Sequence, residues 1–348
     1  MRTFQISPTD KALLPAITEK IDNLNKPKGA LGQLESLAAQ LCLIQQTLSP
    51  TLAHPCHLLL GGDHGIEREG VSVSPREVTW QQMLNFTRGG GGVNMFCRQH
   101  GFDLRIVDMG VDYDFEGLPG IINHKIARGT ANFLHGPAMT MQQMETAIDT
   151  GALLAEQCHA DGCNILCIGE MGIANTSPSS IWMSLLGDIP LDDCIGRGSG
   201  LDPKGIEHKR DVLHAALDGF LAQHEANDLE QMTAYFGGFE MVAAIGAMLR
   251  AAELRMAVMV DGFIMSACML MASRLYPAVT DYAIYGHCGN EEGHRRMLQL
   301  LDARPLLSLG LCLGEGTGAL CAYPIIDSAV RMINEMNDFE HANITKYF

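Results

Sequence analysis

Six short apolar runs in this chain each end in a glycine-bearing loop that carries an acid, an amide or a histidine, and that recurrence constrains the fold. His57–Leu60 (HLLL) leads into GGDHG, Leu104–Val107 into DMGVD, and Asn164–Ile168 into GEMGIANTS. Met256–Val260 leads into DGF, Tyr282–Tyr285 into GHCGN, and Leu306–Leu309 into GLCLGEGTG. Unbroken apolar runs of this length fit strands buried on both faces. Between them, Glu77–Cys97, Met141–His159, Lys209–Gln223, Glu240–Leu254 and Gly293–Leu301 have helical spacing. Such alternation predicts an α/β fold: a parallel sheet with right-handed crossovers. Ligands of these sheets bind beyond the carboxyl ends of the strands. The glycine loops are therefore the candidate site before any motif is considered.

The two ends of the chain read differently. Leu31–Leu48 has apolar residues at helical spacing behind the turn signal KPKGALG, and Tyr323–Asn337 reads as another helix. No repeat or linker separates them from the middle. The expected organisation is one large α/β domain over residues 50–322, with residues 1–49 and 323–348 pairing as a small helical subdomain.

Charge narrows the partners. Lys plus Arg number 24 against 40 Asp plus Glu, a net charge of −16. That balance leaves no electrostatic footprint for nucleic acid and disfavours an anionic membrane surface. The 11 cysteines contain no Cys-x-x-Cys pair and do not read as a disulfide framework, so a reducing cytoplasm is expected. Met1–Lys11 lacks the apolar core of a signal peptide. Ala257–Ser273 is apolar, but Asp261 and Gly262 interrupt it, leaving both parts short of the ~18–20 residues a membrane span needs. A strand, a turn and a buried helix are expected there.

The densest chemistry lies at LGLCLGEGTGAL, where a strand turns through glycines spaced two apart with Glu315 at the tip. Glycines let the backbone approach a ligand and leave amide N–H groups free. A partly desolvated carboxylate there is raised toward general-base range. The plainer possibility is that Glu315 caps the following helix, although Thr317 is equally placed to do so. Glu170 sits in a second such turn, followed by Asn175-Thr176-Ser177-Pro178, which suits either an N-cap or a phosphate site. Asp63-His64 is either a structural pair, as lone Asp-His pairs at loop ends more often are, or a catalytic dyad or metal ligand. Gly89–Gly92 either packs two helical stretches closely or breaks one. Gly196-x-Gly198-x-Gly200 lacks the spacing of a dinucleotide fingerprint, and no Walker A motif is present, so no cofactor is expected. Glu156-x-x-His159 and Glu291-x-x-His294 have di-iron spacing, but a strand follows the first pair too soon for a four-helix bundle, so no metal is expected.

Taken together, these segments resemble the nicotinate-nucleotide–dimethylbenzimidazole phosphoribosyltransferase family of cobalamin biosynthesis. The likeness rests on KPKGALGQLESLA, DHG followed by EGVSVSPREVT, GEMGIANTSP, GGFE at Gly237–Glu240, DGF and LGEGTGA, in that order from Lys26 to Ala319. The resemblance implies a Rossmann-like six-stranded parallel sheet flanked by helices, with a small helical domain from both termini, working as a homodimer. It also implies transfer of phosphoribose from nicotinate mononucleotide to 5,6-dimethylbenzimidazole, giving α-ribazole 5′-phosphate and nicotinate.

The same resemblance assigns residues. Glu315 falls on the family's general base, and Glu170 on a glutamate beside the ribose and phosphate. Ser74 and Gln82 match the base pocket, Lys209 the phosphate-binding lysine, and Gly172 a glycine of that site. Met171, Asn175, Thr176, Asp261, Asn290 and Gly314 complete the expected substrate contacts. The chain departs from the family at HCGN, where Gly289 stands for a serine and Asn290 is the nearest substitute for its hydroxyl. Relatives that attach adenine or phenols make the acceptor base the open part of the assignment, and a non-catalytic nucleotide-binding subunit is the alternative from another class.

Overall fold

The computed structural model describes residues 2–291 and 293–347. Its strands are β1 (Cys56–Gly62), β2 (Asp103–Gly110), β3 (Ile122–Asn123), β4 (Ile165–Met171), β5 (Ala257–Val260) and β6 (Ala283–Tyr285). They form one all-parallel sheet in the order β3-β2-β1-β4-β5-β6. The helices are α1 (Leu14–Asn23), α2 (Gln33–Gln45), α3 (Glu77–Thr87), α4 (Gly92–His100), α5 (Met141–Ala160) and α6 (Thr176–Gly187). They continue as α7 (Pro203–Leu221), α8 (Leu229–Phe236), α9 (Phe239–Glu253), α10 (Phe263–Leu275), α11 (His294–Leu300) and α12 (Thr317–Glu335).

Every residue of β1 is buried, as its unbroken apolar run requires. Side chains alternate across a strand, and the two glycines at the end of β1 show what covers each face. A Cβ on Gly61 would lie 2.7 Å from Met83 of α3, whereas one on Gly62 would overlap Glu240 of α9. The sheet is thus covered on both sides. On the α9 side, α5 packs so closely that a Cβ on Gly151 would overlap the Ala243 carbonyl, and one on Gly246 the Ile148 carbonyl. Backbone touches backbone at this crossing. Gly151→Ala is therefore expected to destabilise the protein by about 1–3 kcal/mol through overpacking, read as a lower urea midpoint at unchanged m-value.

Three expectations need correction. The sixth strand is β3, not Leu306–Leu309, which forms only an isolated parallel bridge between His287 and Leu307. Its outer end turns to solvent, with Leu309 58% exposed, so nothing buries a second face. Glu77–Cys97 is two helices, because Gly89–Gly92 breaks it between α3 and α4. The last helix begins at Thr317 rather than Tyr323, so it runs unbroken across the expected domain boundary at 322–323. Gly318, inside that helix, is where the His287 ring packs, in space a Cβ would fill.

The chain ends meet. Asn25 N–H donates to the Asn337 carbonyl at 2.8 Å, and Phe339 N–H to Asn23 at 3.1 Å. Ala257–Ser273 is β5, a turn and most of α10, and no helix among the described residues is long and apolar enough to cross a membrane.

Candidate active site

In this strand order the crossovers change direction between β1 and β4, and their carboxyl ends open a crevice there. A cleft of about 940 Å³, mouth included, occupies it. Glu170, Gly172, Asn175, Asp261, His287 and Gly314 are among its walls. Met171 and Thr176 also line it. Register explains the convergence: Leu60 of β1 lies opposite Glu170, and Gly61 opposite Met171.

Glu170 is buried, and its carboxylate accepts a hydrogen bond from the Asn175 amide. Burial pushes its pKa up to about 8; Glu240 adds to the rise, Asn175 opposes it, and Asp261 and Glu315 contribute further. A neutral carboxylic acid near pH 7 can donate a hydrogen bond. Since Asn175 turns to Glu170, the N-terminus of α6 has no side-chain cap. Its first turn holds Thr176 and Ser177, whose buried Oγ has no hydrogen-bond partner among the described residues.

Lys209, fully buried in α7, donates to Thr176 Oγ1 at 2.9 Å. Burial lowers its pKa to about 8, opposed by Glu291. A Cβ on Gly198 would sit 3.3 Å from Thr176 Oγ1 and 3.7 Å from Lys209 Nζ, and Gly198 and Ser199 line the cleft. A helix N-terminus, a buried ammonium and a glycine turn make a cradle for an anion. Sequence spacing alone gave no reason to connect that glycine run with Lys209.

Glu315 stands directly behind Gly314, and it caps a helix, though not the expected one. Its Oε2 accepts from Val93 N–H in the first turn of α4 at 3.1 Å, while Thr317 Oγ1 bonds the Gly314 carbonyl at 2.7 Å. A Cβ on Gly92 would lie 3.4 Å from Oε2, an ordinary contact distance. Burial raises the Glu315 pKa, the N–H groups of Val93 and Gly92 oppose this, and Asp261 adds to the rise. Gly314, Glu315 and Gly316 have φ of +84°, +62° and +79°, so a non-glycine residue is held left-handed between two glycines. The loop is pressed onto the sheet, since a Cβ on Gly169 would overlap the Glu315 backbone and one on Gly316 the His57 ring. His57 is fully buried beneath the loop, and burial lowers its pKa to about 4, opposed by Asp261 and the Glu315 backbone.

Two motifs meet behind the cleft. His64 Nε2 and Glu240 Oε1 are 2.6 Å apart, both buried. Three glycines give them room: Gly62 and Gly238, and Gly172, where a Cβ would lie 3.0 Å from Glu240 Oε1 and 3.2 Å from His64 Nε2. Asp261 Oδ1 accepts from Ala319 N–H at 2.8 Å and lies 3.4 Å from His287 Nε2. Burial would raise its pKa, but His287 and backbone N–H groups outweigh that and hold it low. Gly289 N–H donates to His294 Nδ1 at 2.8 Å, and a Cβ there would be 3.0 Å from the Leu311 carbonyl.

Not every expected residue reaches the cleft: Lys209 and Glu315 stand behind its lining, and Ser74, Gln82 and Asn290 are outside it. Ser74 lies on the loop before α3, with its neighbours Val71 and Ser72 in the lining, and Gln82 of α3 accepts from Asn85 at 3.1 Å. Exposed Asn290 bonds the Leu311 carbonyl through its backbone N–H. Glu156 is taken by Arg2 and Arg250, each at 2.8 Å, and His294 by Ser266 and Gly289.

Comparison with known proteins adds an independent line. A family model described as phosphoribosyltransferase matches residues 6–344. A nicotinate-nucleotide–dimethylbenzimidazole phosphoribosyltransferase from Bacteroides fragilis is 59% identical over all of both chains. One of the same name from Dechloromonas aromatica is 47% identical over 99% of each. The crystal structure of CobT from Thermus thermophilus superposes with a TM-score of 0.92 at 35% identity, covering 96% of this chain and 99% of that one.

Proposed function

The chain belongs to the nicotinate-nucleotide–dimethylbenzimidazole phosphoribosyltransferase family, and we propose the following use of its cleft. It transfers the phosphoribosyl group of nicotinate mononucleotide to 5,6-dimethylbenzimidazole, releasing nicotinate and forming α-ribazole 5′-phosphate for cobalamin assembly. The observation that carries the residue assignments is the joint position of two devices. The anion cradle reaches the crevice through Thr176, Gly198 and Ser199, with Lys209 behind Thr176, and the two buried carboxyls through Glu170 itself and through Gly314, the neighbour of Glu315.

In this reading the 5′-phosphate sits in the cradle, a local cation offsetting the background of a chain at −16. Glu315, deprotonated, accepts the N–H proton of the benzimidazole as its other ring nitrogen attacks C1′. Attack comes from the face opposite nicotinate, so a β-linked donor gives an α-linked product. Glu170, neutral near pH 7, holds the sugar by donating a hydrogen bond, and the charge of Glu240 beside His64 helps keep it neutral. The two carboxyls thus perform different tasks in one cleft. Positioning both rings about C1′ supplies much of the remaining acceleration.

The working unit in this reading is a cytoplasmic homodimer. Residues 50–322 are its catalytic domain, with the paired chain ends as a helical subdomain and α12 spanning the boundary. Incubation with nicotinate mononucleotide plus 5,6-dimethylbenzimidazole, adenine or a cresol, followed by chromatography of released nicotinate, tests the proposal. Release dependent on the benzimidazole is expected. Release with adenine or cresol alone reassigns the acceptor, and no release with any of them overturns the activity.

A further inference from the structure

At the end of the sheet away from the cleft, three thiols converge. Cys56 opens β1, Cys158 lies in the last turn of α5, and Cys163 precedes β4. All three are buried. The Sγ atoms of Cys56 and Cys158 are 3.2 Å apart, the one thiol–thiol contact among the described residues. Cys163 is engaged otherwise, its thiol 3.1 Å from the Ile165 carbonyl. A disulfide has sulfurs at about 2.05 Å, so closing the gap requires a movement of only about 1 Å.

Cys56 is 1% and Cys158 0% exposed, so a reagent reaches the pair when the structure around it opens locally. A surface hollow lined by His54, Cys56, Arg105, Cys158, Asp161 and Cys163 leads to it. At its mouth Arg105 is held by Asp103 at 3.0 Å and Asp161 at 2.6 Å. We propose that Cys56 and Cys158 form a modification site, a dithiol that a low-molecular-weight disulfide oxidises to an intramolecular disulfide.

The chemistry balances without any further reactant. The Cys158 thiolate attacks one sulfur of RSSR and displaces RS⁻, leaving a mixed disulfide. Cys56 loses its proton, attacks Sγ of Cys158 and displaces the second RS⁻. The two thiol protons end on the released thiolates, giving two RSH, and two electrons pass from the protein to the reagent. The product is the same if the two thiols exchange roles, and Arg105 beside the pair favours a thiolate on either sulfur.

The test uses the native protein incubated with oxidised glutathione, then acid-quenched, alkylated in denaturant and digested without reduction. The expected product is about 2 Da lighter, has two fewer alkylatable thiols than the 11 of the reduced chain, and yields one peptide pair joined through Cys56 and Cys158. Reductant restores the starting mass. In Cys158→Ser the cross-link disappears and Cys56 is alkylated. The wild-type map stands on its own if that variant fails to fold. A map in which both residues remain alkylated while exposed Cys312 is oxidised overturns the proposal, as does a Cys56–Cys163 link.

Discussion

Glu315→Gln is expected to lower turnover about 10²-fold or more while leaving nicotinate mononucleotide binding nearly unchanged. Glutamine matches the shape of glutamate, and its carbonyl oxygen can still accept from Val93 N–H, so the loop has little reason to move. What disappears is the proton acceptor. The pH profile separates this from a packing defect. Burial raises the Glu315 pKa, so wild-type kcat/KM should climb with pH as this group deprotonates, forming the acidic limb. Glu170 titrates near 8, so rates should fall above that pH as the neutral acid is lost. The variant should lose the acidic limb and keep the alkaline one. Near wild-type turnover would remove the base role from Glu315.

Lys209→Met is expected to raise KM for nicotinate mononucleotide about 10–10²-fold with a smaller change in kcat. A hydrogen bond to a charged group is worth about 1.5–3 kcal/mol, and each 1.4 kcal/mol is tenfold. Methionine replaces the buried stem but removes the ammonium that reaches Thr176. The control is the donor lacking its phosphate, nicotinate riboside: wild type and variant should use it equally poorly. A matching loss with that donor would mean that Lys209 supports the fold rather than the phosphate. Because burial lowers the lysine pKa to about 8, KM of the wild type should also rise as pH passes that value and the ammonium loses its proton.

What could be read from the sequence followed from side chains that answer to local physics. β1 was visible because HLLL has no polar side to show solvent, and its full burial agrees. β3 was not, since two exposed residues carry no periodicity. Leu306–Leu309 looked like its peers in composition, but sequence does not say that only one face finds a partner. Glu170 and Glu315 stood out because acids flanked by glycines at strand ends are rare in a packed interior. Glu240 did not, since in the first turn of a helix an acid is ordinary. Its meaning comes from His64, 176 residues away, and from three glycines on three separate segments. The spacing around Gly198 does not fit a dinucleotide loop, but that rule concerns one ligand's loop and says nothing of a lysine arriving from α7.

The left-handed turn at Gly314–Glu315–Gly316 sets stability against alignment. A residue with a Cβ held at φ +62° is strained by about 1–3 kcal/mol. The carboxyl it carries is also buried against its ordinary pKa. Glycine at this position would relieve both. The hydrogen bond that the Glu315 carboxylate accepts from Val93 N–H at the start of α4 offsets part of that cost, and the base role proposed for it would account for the remainder.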